Sequence, residues 1–275
     1  MMDAGNDISP EMALNYLQWL EAMGADEAVD EAPQDRFVAQ TKPEMASATP
    51  RTDIQARKQA PITAQPMGPA TPLNDRSADA EAAIQAAKQT AAACQNLDDL
   101  IAALEKFEAC PLSRTASKLA FIDGSLSPDI LILGDKPARE DDREGKPFAG
   151  PEGILLDRML AAIGMSRETT MLSNLVFWYP PGNRNPTEPE LAMCEPFLEK
   201  LVQLHRPRFI LSFGTIASQR LLQETTGIIK LRGRWGVWQD IPTLATWHPR
   251  ELLTTPLLKA DAWKDLQALR EKLHA

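Results

Sequence analysis

Three polar side chains and one aromatic ring stand where short apolar runs end. The run at residues 129–134 leads into Asp135-Lys136-Pro137-Ala138. The acidic trio Glu140-Asp141-Asp142 follows, then Gly145-Lys146-Pro147-Phe148-Ala149-Gly150. The run at 170–177 contains Asn174 and passes into Pro180-Pro181-Gly182-Asn183-Arg184-Asn185-Pro186. The run at 242–247 ends in His248-Pro249-Arg250. A carboxylate can stabilise a cation or activate water, an imidazole can donate or accept a proton, and a carboxamide donates and accepts at once. Each residue alone has a plainer reading. Phe148 would fill a core, Asn174 would satisfy backbone at a strand end, His248 would brace the Pro that follows it, and Asp135 would cap a turn or helix.

The elements that must position these groups alternate in kind. Apolar runs at 129–134, 170–177, 208–213 and 242–247 read as strands. Residues 153–163, 188–204, 215–222 and 257–273 read as helices, and Asn96 caps another that begins at Leu97. Short buried strands separated by helices predict a three-layer α/β/α sandwich around a four-stranded, mainly parallel sheet. Such sheets bind ligands beyond the carboxyl ends of their strands. The chemical residues above lie at those ends.

The order of these motifs resembles that of family 4 uracil-DNA glycosylases. That family carries a Gly-Glu-x-Pro-Gly loop, an acidic pair, Gly-x-Pro-Phe-x-Gly, Thr-Asn on a strand, Pro-Pro-x-Asn-Arg-x-Pro and a late His-Pro-Ser. The likeness covers about 150 residues. It implies a base-flipping pocket for uracil in DNA and hydrolysis of the N-glycosidic bond. Phe148 takes the place of the stacking ring. Asn174 reads the Watson–Crick edge, and His248 donates to the uracil oxygen as the base leaves as an anion. Asp135 sits where the family has Glu, to stabilise the sugar cation and direct water.

The departures are specific. The first loop reads Gly134-Asp135-Lys136-Pro137-Ala138, so its carboxylate is shorter. Lys136 replaces a small residue at the pocket, where it would obstruct the base or pair with Asp135. Ala138 replaces a glycine, which matters only at positive φ. Glu152 and Arg250 replace smaller residues. A catalytically weak or inactive protein that binds DNA or nucleotides on the same fold is the alternative this loop favours. The resemblance also implies a [4Fe–4S] cluster held by four cysteines. Cys110 and Cys194 match two of them, while Phe107 and Trp178 stand at the others. The expectation is therefore no cluster and no cofactor, with the two thiols as buried remnants. Arg184, Arg232, Arg234 and Arg250 are the candidate phosphate contacts, with Gly233 allowing close approach. Leu252 or Leu253 would wedge into the base stack or begin a buried element.

A net charge of −9 argues at first against a DNA partner. Residues 1–100 carry 16 acidic and 7 basic side chains, whereas residues 101–275 carry 22 of each. The acidity therefore lies outside the part that carries the motifs, and clustered arginines can still make a basic face. The organisation expected is a short helix at 9–24, a Pro- and Ala-rich disordered linker at 25–77, an Ala-rich helical lead-in at 78–96 and the domain proper at 97–275. The apolar side of the first helix suits the domain or a protein partner. No run is long enough to span a membrane, and no secretory signal is legible. Three cysteines make no disulfide framework, which fits a reducing cytoplasm, and a monomer is expected.

Overall fold

The computed structural model of the chain describes residues 73–274. The helix expected at 9–24, and the expected linker up to residue 72, lie outside the described residues. Helix α1 runs Leu73–Ala93, so it includes the Ala-rich lead-in and starts earlier than the sequence suggests. Its Ala87 and Ala91 are buried. Small side chains at this spacing let the backbone lie close against a neighbouring helix, and α1 joins the domain core by that route. Helix α2, Leu97–Glu105, begins at Asn96, whose side chain accepts the Asp99 amide at 2.8 Å.

The remaining elements alternate as anticipated. Strand β1 (Asp123–Gly124) and β2 (Ile130–Gly134) are followed by α3 (Arg139–Glu144) and α4 (Pro151–Ala162). Strand β3 (Thr170–Asn174) leads through a turn at Pro181–Asn183 to α5 (Glu188–His205). Strand β4 (Phe209–Phe213) precedes α6 (Thr215–Leu222) and the short α7 (Ile228–Leu231). Strands β5 (Trp235–Trp238) and β6 (Ile241–Thr246) then lead to α8 (Pro249–Thr254) and α9 (Lys259–His274).

The sheet has six strands in the order β1-β3-β2-β4-β6-β5. Its parallel centre, β3-β2-β4-β6, is the four-stranded sheet expected. Two antiparallel edges, β1 and β5, extend it. They escape a sequence reading because one has two residues and the other is largely unburied. Side chains alternate between the faces, as strand geometry requires. Leu131 and Leu133 pack with α1, α2 and α5, whereas Ile130 and Ile132 pack with α4 and α9. Parallel register sets Gly134 beside Asn174 and Phe213 beside Thr246. The carboxyl ends of β2, β3 and β6 therefore open on one edge of the sheet. Among the described residues no helix is long and apolar enough to cross a membrane.

Candidate active site

Gly134 is the point on which the site converges. A methyl group placed on it would lie 2.4 Å from Asn174 Oδ1, 2.9 Å from Phe148 Cζ and 3.4 Å from His248 Nε2. Strand register supplies the first neighbour, the loop before α4 the second, and the end of β6 the third. A side chain at residue 134 would occupy the space that these groups share. Asn174, Phe148 and His248 are all buried. The Asn174 Nδ2 donor is buried without a partner. Such a group normally costs about 1–3 kcal/mol unless something fills its valence. Phe148 and His248 stack at 5.8 Å between centroids and 22° between planes.

Phe148 is held in an unusual backbone state, with φ at 54°. Arg167 braces the peptide that follows, because its Nη2 donates to the Phe148 carbonyl at 2.7 Å. Arg167 is itself fixed by Asp123 at 2.6 Å and Asp157 at 2.7 Å. Gly153 leaves room beneath, since a Cβ there would sit 1.8 Å from the same carbonyl oxygen. Asp141 joins the two loops of the site: its oxygens accept the Ala138 amide at 3.0 Å and the Ala149 amide at 2.8 Å. Burial raises its carboxyl pKa, and those amides oppose the rise. Arg167 leaves no local signal in the sequence, since its partners are distant along the chain. Asp141 was visible only as part of an acidic run.

Asp135 does not point freely into this space. Its Oδ1 accepts the Ala217 amide at 2.6 Å, in the first turn of α6. Its carboxylate packs on Gly214, where a Cβ would come within 2.7 Å of Oδ2. The shorter acid thus caps a neighbouring helix from another strand. Burial pushes its carboxyl up to about 7, helped by Glu251 and opposed by the Ala217 amide, Arg250 and Lys136. Lys136 does not pair with Asp135. It is buried, and its ammonium donates to the carbonyl of Asn183 and, at 2.8 Å, to that of Arg184. Burial and the Arg250 cation lower its pKa. Lys136 therefore fastens the turn after β3 to the loop after β2. Ala138 has φ of −85°, so the lost glycine costs nothing there.

His248 forms the start of α8, with its Nδ1 accepting the Arg250 amide at 3.2 Å. Burial drives its pKa down to about 3, and the Arg250 and Lys136 cations add to the fall. The imidazole is neutral at pH 7, with its proton left for Nε2, the nitrogen nearest Gly134. Arg250 holds Glu152 by two bonds, at 2.5 and 3.0 Å.

The other expected phosphate contacts are likewise bound to carboxylates. Arg184 forks onto Glu190 at 2.8 and 2.6 Å. Arg234 meets Glu224 at 3.3 Å near the surface. Arg232 departs most from expectation. Its guanidinium is turned inward onto the buried Asp265 at 2.5 and 3.1 Å, which makes it a structural cation. Gly233 serves the same contact, since a Cβ there would lie 2.9 Å from Asp265 Oδ1. Leu252 belongs to the core, while Leu253 is exposed.

Cys110 and Cys194 are both free and buried, in a core that includes Phe107 and Trp178. Among the described residues no group of three or more metal-binding side chains occurs. Two thiols do not complete a four-cysteine site.

Known proteins can now be set beside this geometry. A model of the uracil DNA glycosylase superfamily matches residues 121–267. The type-4 uracil-DNA glycosylase of Archaeoglobus fulgidus is 30% identical over 187 residues, 64% of this chain and 93% of that protein. That of Saccharolobus solfataricus is 31% identical over 187 residues, 65% and 87% of the two chains. That of Thermotoga maritima is 33% identical over 152 residues, 54% and 79%. Type-4 enzymes carry a [4Fe–4S] cluster, and kinship with them overturns the expectation that this chain has no cofactor. The cofactor stands unassigned. Motif order, strand register and the matched region agree: the chain belongs to the uracil DNA glycosylase superfamily.

Proposed function

We propose that the chain is a monofunctional uracil-DNA glycosylase acting on a flipped-out base. The observation that carries this reading is the unpartnered Asn174 Nδ2 beside Gly134, Phe148 and His248 Nε2. A buried donor without a partner is explained by a ligand that completes it. The uracil ring stacks on Phe148. Asn174 donates to O4 and accepts from N3–H, a pairing that cytosine reverses. His248 donates from Nε2 to O2 as the glycosidic electrons pass to the base. C1′ gains cationic character, which Asp135 stabilises while it directs water to that carbon. The water oxygen forms the new bond, and its proton leaves through the carboxylate. Lys136 lines the site through the turn that it anchors, Arg184 and Arg234 reach DNA phosphates by exchanging their carboxylate partners, and Arg250 reaches toward the backbone only as far as its hold on Glu152 allows.

The type-4 uracil-DNA glycosylases among the relatives support the substrate. The first loop is read as an altered form of the family motif, with Asp135 and Lys136 as its distinguishing residues. The domain proper is 97–275, with α1 as its lead-in. The apolar pattern of residues 9–24 supports contact with a protein partner, and three unpaired cysteines support a reducing compartment such as the cytoplasm.

A second reading, DNA binding with little catalysis, is favoured by the Asp135 contact to Ala217, which occupies one carboxylate oxygen. One assay separates the two. The protein is incubated with a fluorescent single strand containing uracil, and abasic sites are cleaved with alkali. The first reading expects strand scission, reduced by about 10²–10⁴-fold in Asp135→Asn and His248→Ala. Intact binding without scission would establish the second.

A further inference from the structure

His248 presents its two ring nitrogens to different surroundings. Nε2 faces Gly134 and Asn174. Nδ1 accepts the Arg250 amide at 3.2 Å and lies 3.8 Å from Glu152 Oε2. A carboxylate at that distance ordinarily favours a proton on the imidazole. Protonation at Nδ1 would also cost the hydrogen bond that the Arg250 backbone N–H donates to that nitrogen's lone pair. Yet Glu152 is not available to exert this pull. Arg250 holds both of its oxygens, and the oxygen nearest Nδ1 is the one that accepts Arg250 Nη2 at 3.0 Å. The pair is two residues beyond His248 on one side and at the start of α4 on the other. It therefore backs the Nδ1 edge of the imidazole, opposite the Nε2 edge that meets Gly134. The other charges nearby are Lys136 in the loop after β2, which lowers the imidazole pKa, and Glu251 on its own helix, whose carboxylate accepts the His248 backbone amide at 3.2 Å.

We infer that the Glu152–Arg250 pair is a positioning device that holds His248 as the neutral tautomer with its proton on Nε2. Arg250 neutralises the one carboxylate beside Nδ1 while presenting its own amide to that nitrogen. Glu152 in turn keeps the Arg250 guanidinium on the back of the ring. The inference rests on the reading of His248 as the donor to the leaving base, because only a proton on Nε2 serves that role. Neither residue touches the base. Both act through the histidine.

The test reads the imidazole directly. The full chain is labelled with ¹⁵N-histidine, and the chain has three histidines, so His248→Gln assigns the signals. In the wild type, His248 should show a bare Nδ1 and a protonated Nε2, unchanged from about pH 5 to 8. Arg250→Gln removes the cation and leaves Glu152 charged, and His248 should then titrate within that window. Arg250→Lys should restore the wild-type pattern, and so should Arg250→Gln combined with Glu152→Gln. In uracil excision, Arg250→Gln should add a second ionisation, matching its own imidazole titration, to the pH dependence that Asp135 sets in the wild type. A wild-type proton on Nδ1, or an Arg250→Gln histidine that stays neutral throughout, would overturn the inference. Should Arg250→Gln not fold, Glu152→Gln carries the test: its His248 must keep the wild-type pattern, and titration above about pH 5 would refute the device. A chain that excises no uracil, yet shows these tautomers, would refute the proposed function and leave the device standing.

Discussion

At the scale of single residues, the site combines two groups whose protonation is displaced in opposite senses. Burial raises Asp135 to about 7 and lowers His248 to about 3. Asp135 must be ionised to stabilise a cation, so kcat/KM should rise with pH and level off above about 7. A pH–rate profile on single-stranded uracil DNA checks this, and a flat profile across that range would remove Asp135 from the chemistry. The same shifts act on stability. Asp135 binds a proton more tightly folded than unfolded, so its contribution is complete below 3.8 and is lost as pH rises through about 7. His248 contributes above 6.5, and that stability is lost as pH falls toward about 3. Asn174 and Phe148 do not titrate. Their part is geometric, set by the register beside Gly134 and by the Arg167 bond to the Phe148 carbonyl.

At the scale of elements, the arginine-bearing segment after α7 has a structural duty. Arg232 reaches back to α9 and neutralises Asp265, which also accepts the Thr246 hydroxyl of β6 at 2.7 Å. Removing one partner of a buried ion pair leaves an uncompensated charge. Arg232→Ala should therefore cost about 3 kcal/mol of unfolding free energy, at the lower end for such pairs. Urea denaturation measures that loss. The salt dependence of DNA binding should stay unchanged in the folded fraction, and a reduced salt slope would return Arg232 to the DNA interface. Helix α1 has a comparable duty, because Ala87 and Ala91 close one face of the core.

At the scale of the whole molecule, charge is divided along the chain. Residues 1–72 carry 11 acidic and 5 basic side chains, a large part of the net −9. Like charges repel DNA over a Debye length of about 8–10 Å at ordinary salt. Deleting residues 1–72 should raise affinity for a uracil-containing strand at low salt, by about 2–10-fold, and the gain should shrink as salt is added. Fluorescence anisotropy across a salt series follows it. A gain independent of salt would point away from charge and toward a direct contact made by that segment. The deletion stops short of α1, so the described fold should keep its thermal stability.

The local pattern alone determined the parallel sheet, the Asn96 cap and the residues at the strand ends. Those features depend on short-range periodicity and on turn chemistry, which neighbouring residues express directly. It also showed that a carboxylate, an amide, an aromatic ring and an imidazole belong to one edge of the sheet. Only tertiary structure decided what surrounds them. Asp135 is tied to the amide of Ala217, Lys136 to carbonyls beyond β3, and Arg250 to Glu152. It paired Arg232 with the buried Asp265, and it revealed the strands β1 and β5 at the sheet's edges. Each of these joins residues far apart in the chain. The energy that selects such a partner comes from burial and charge in the folded interior, and no stretch of sequence carries that information by itself.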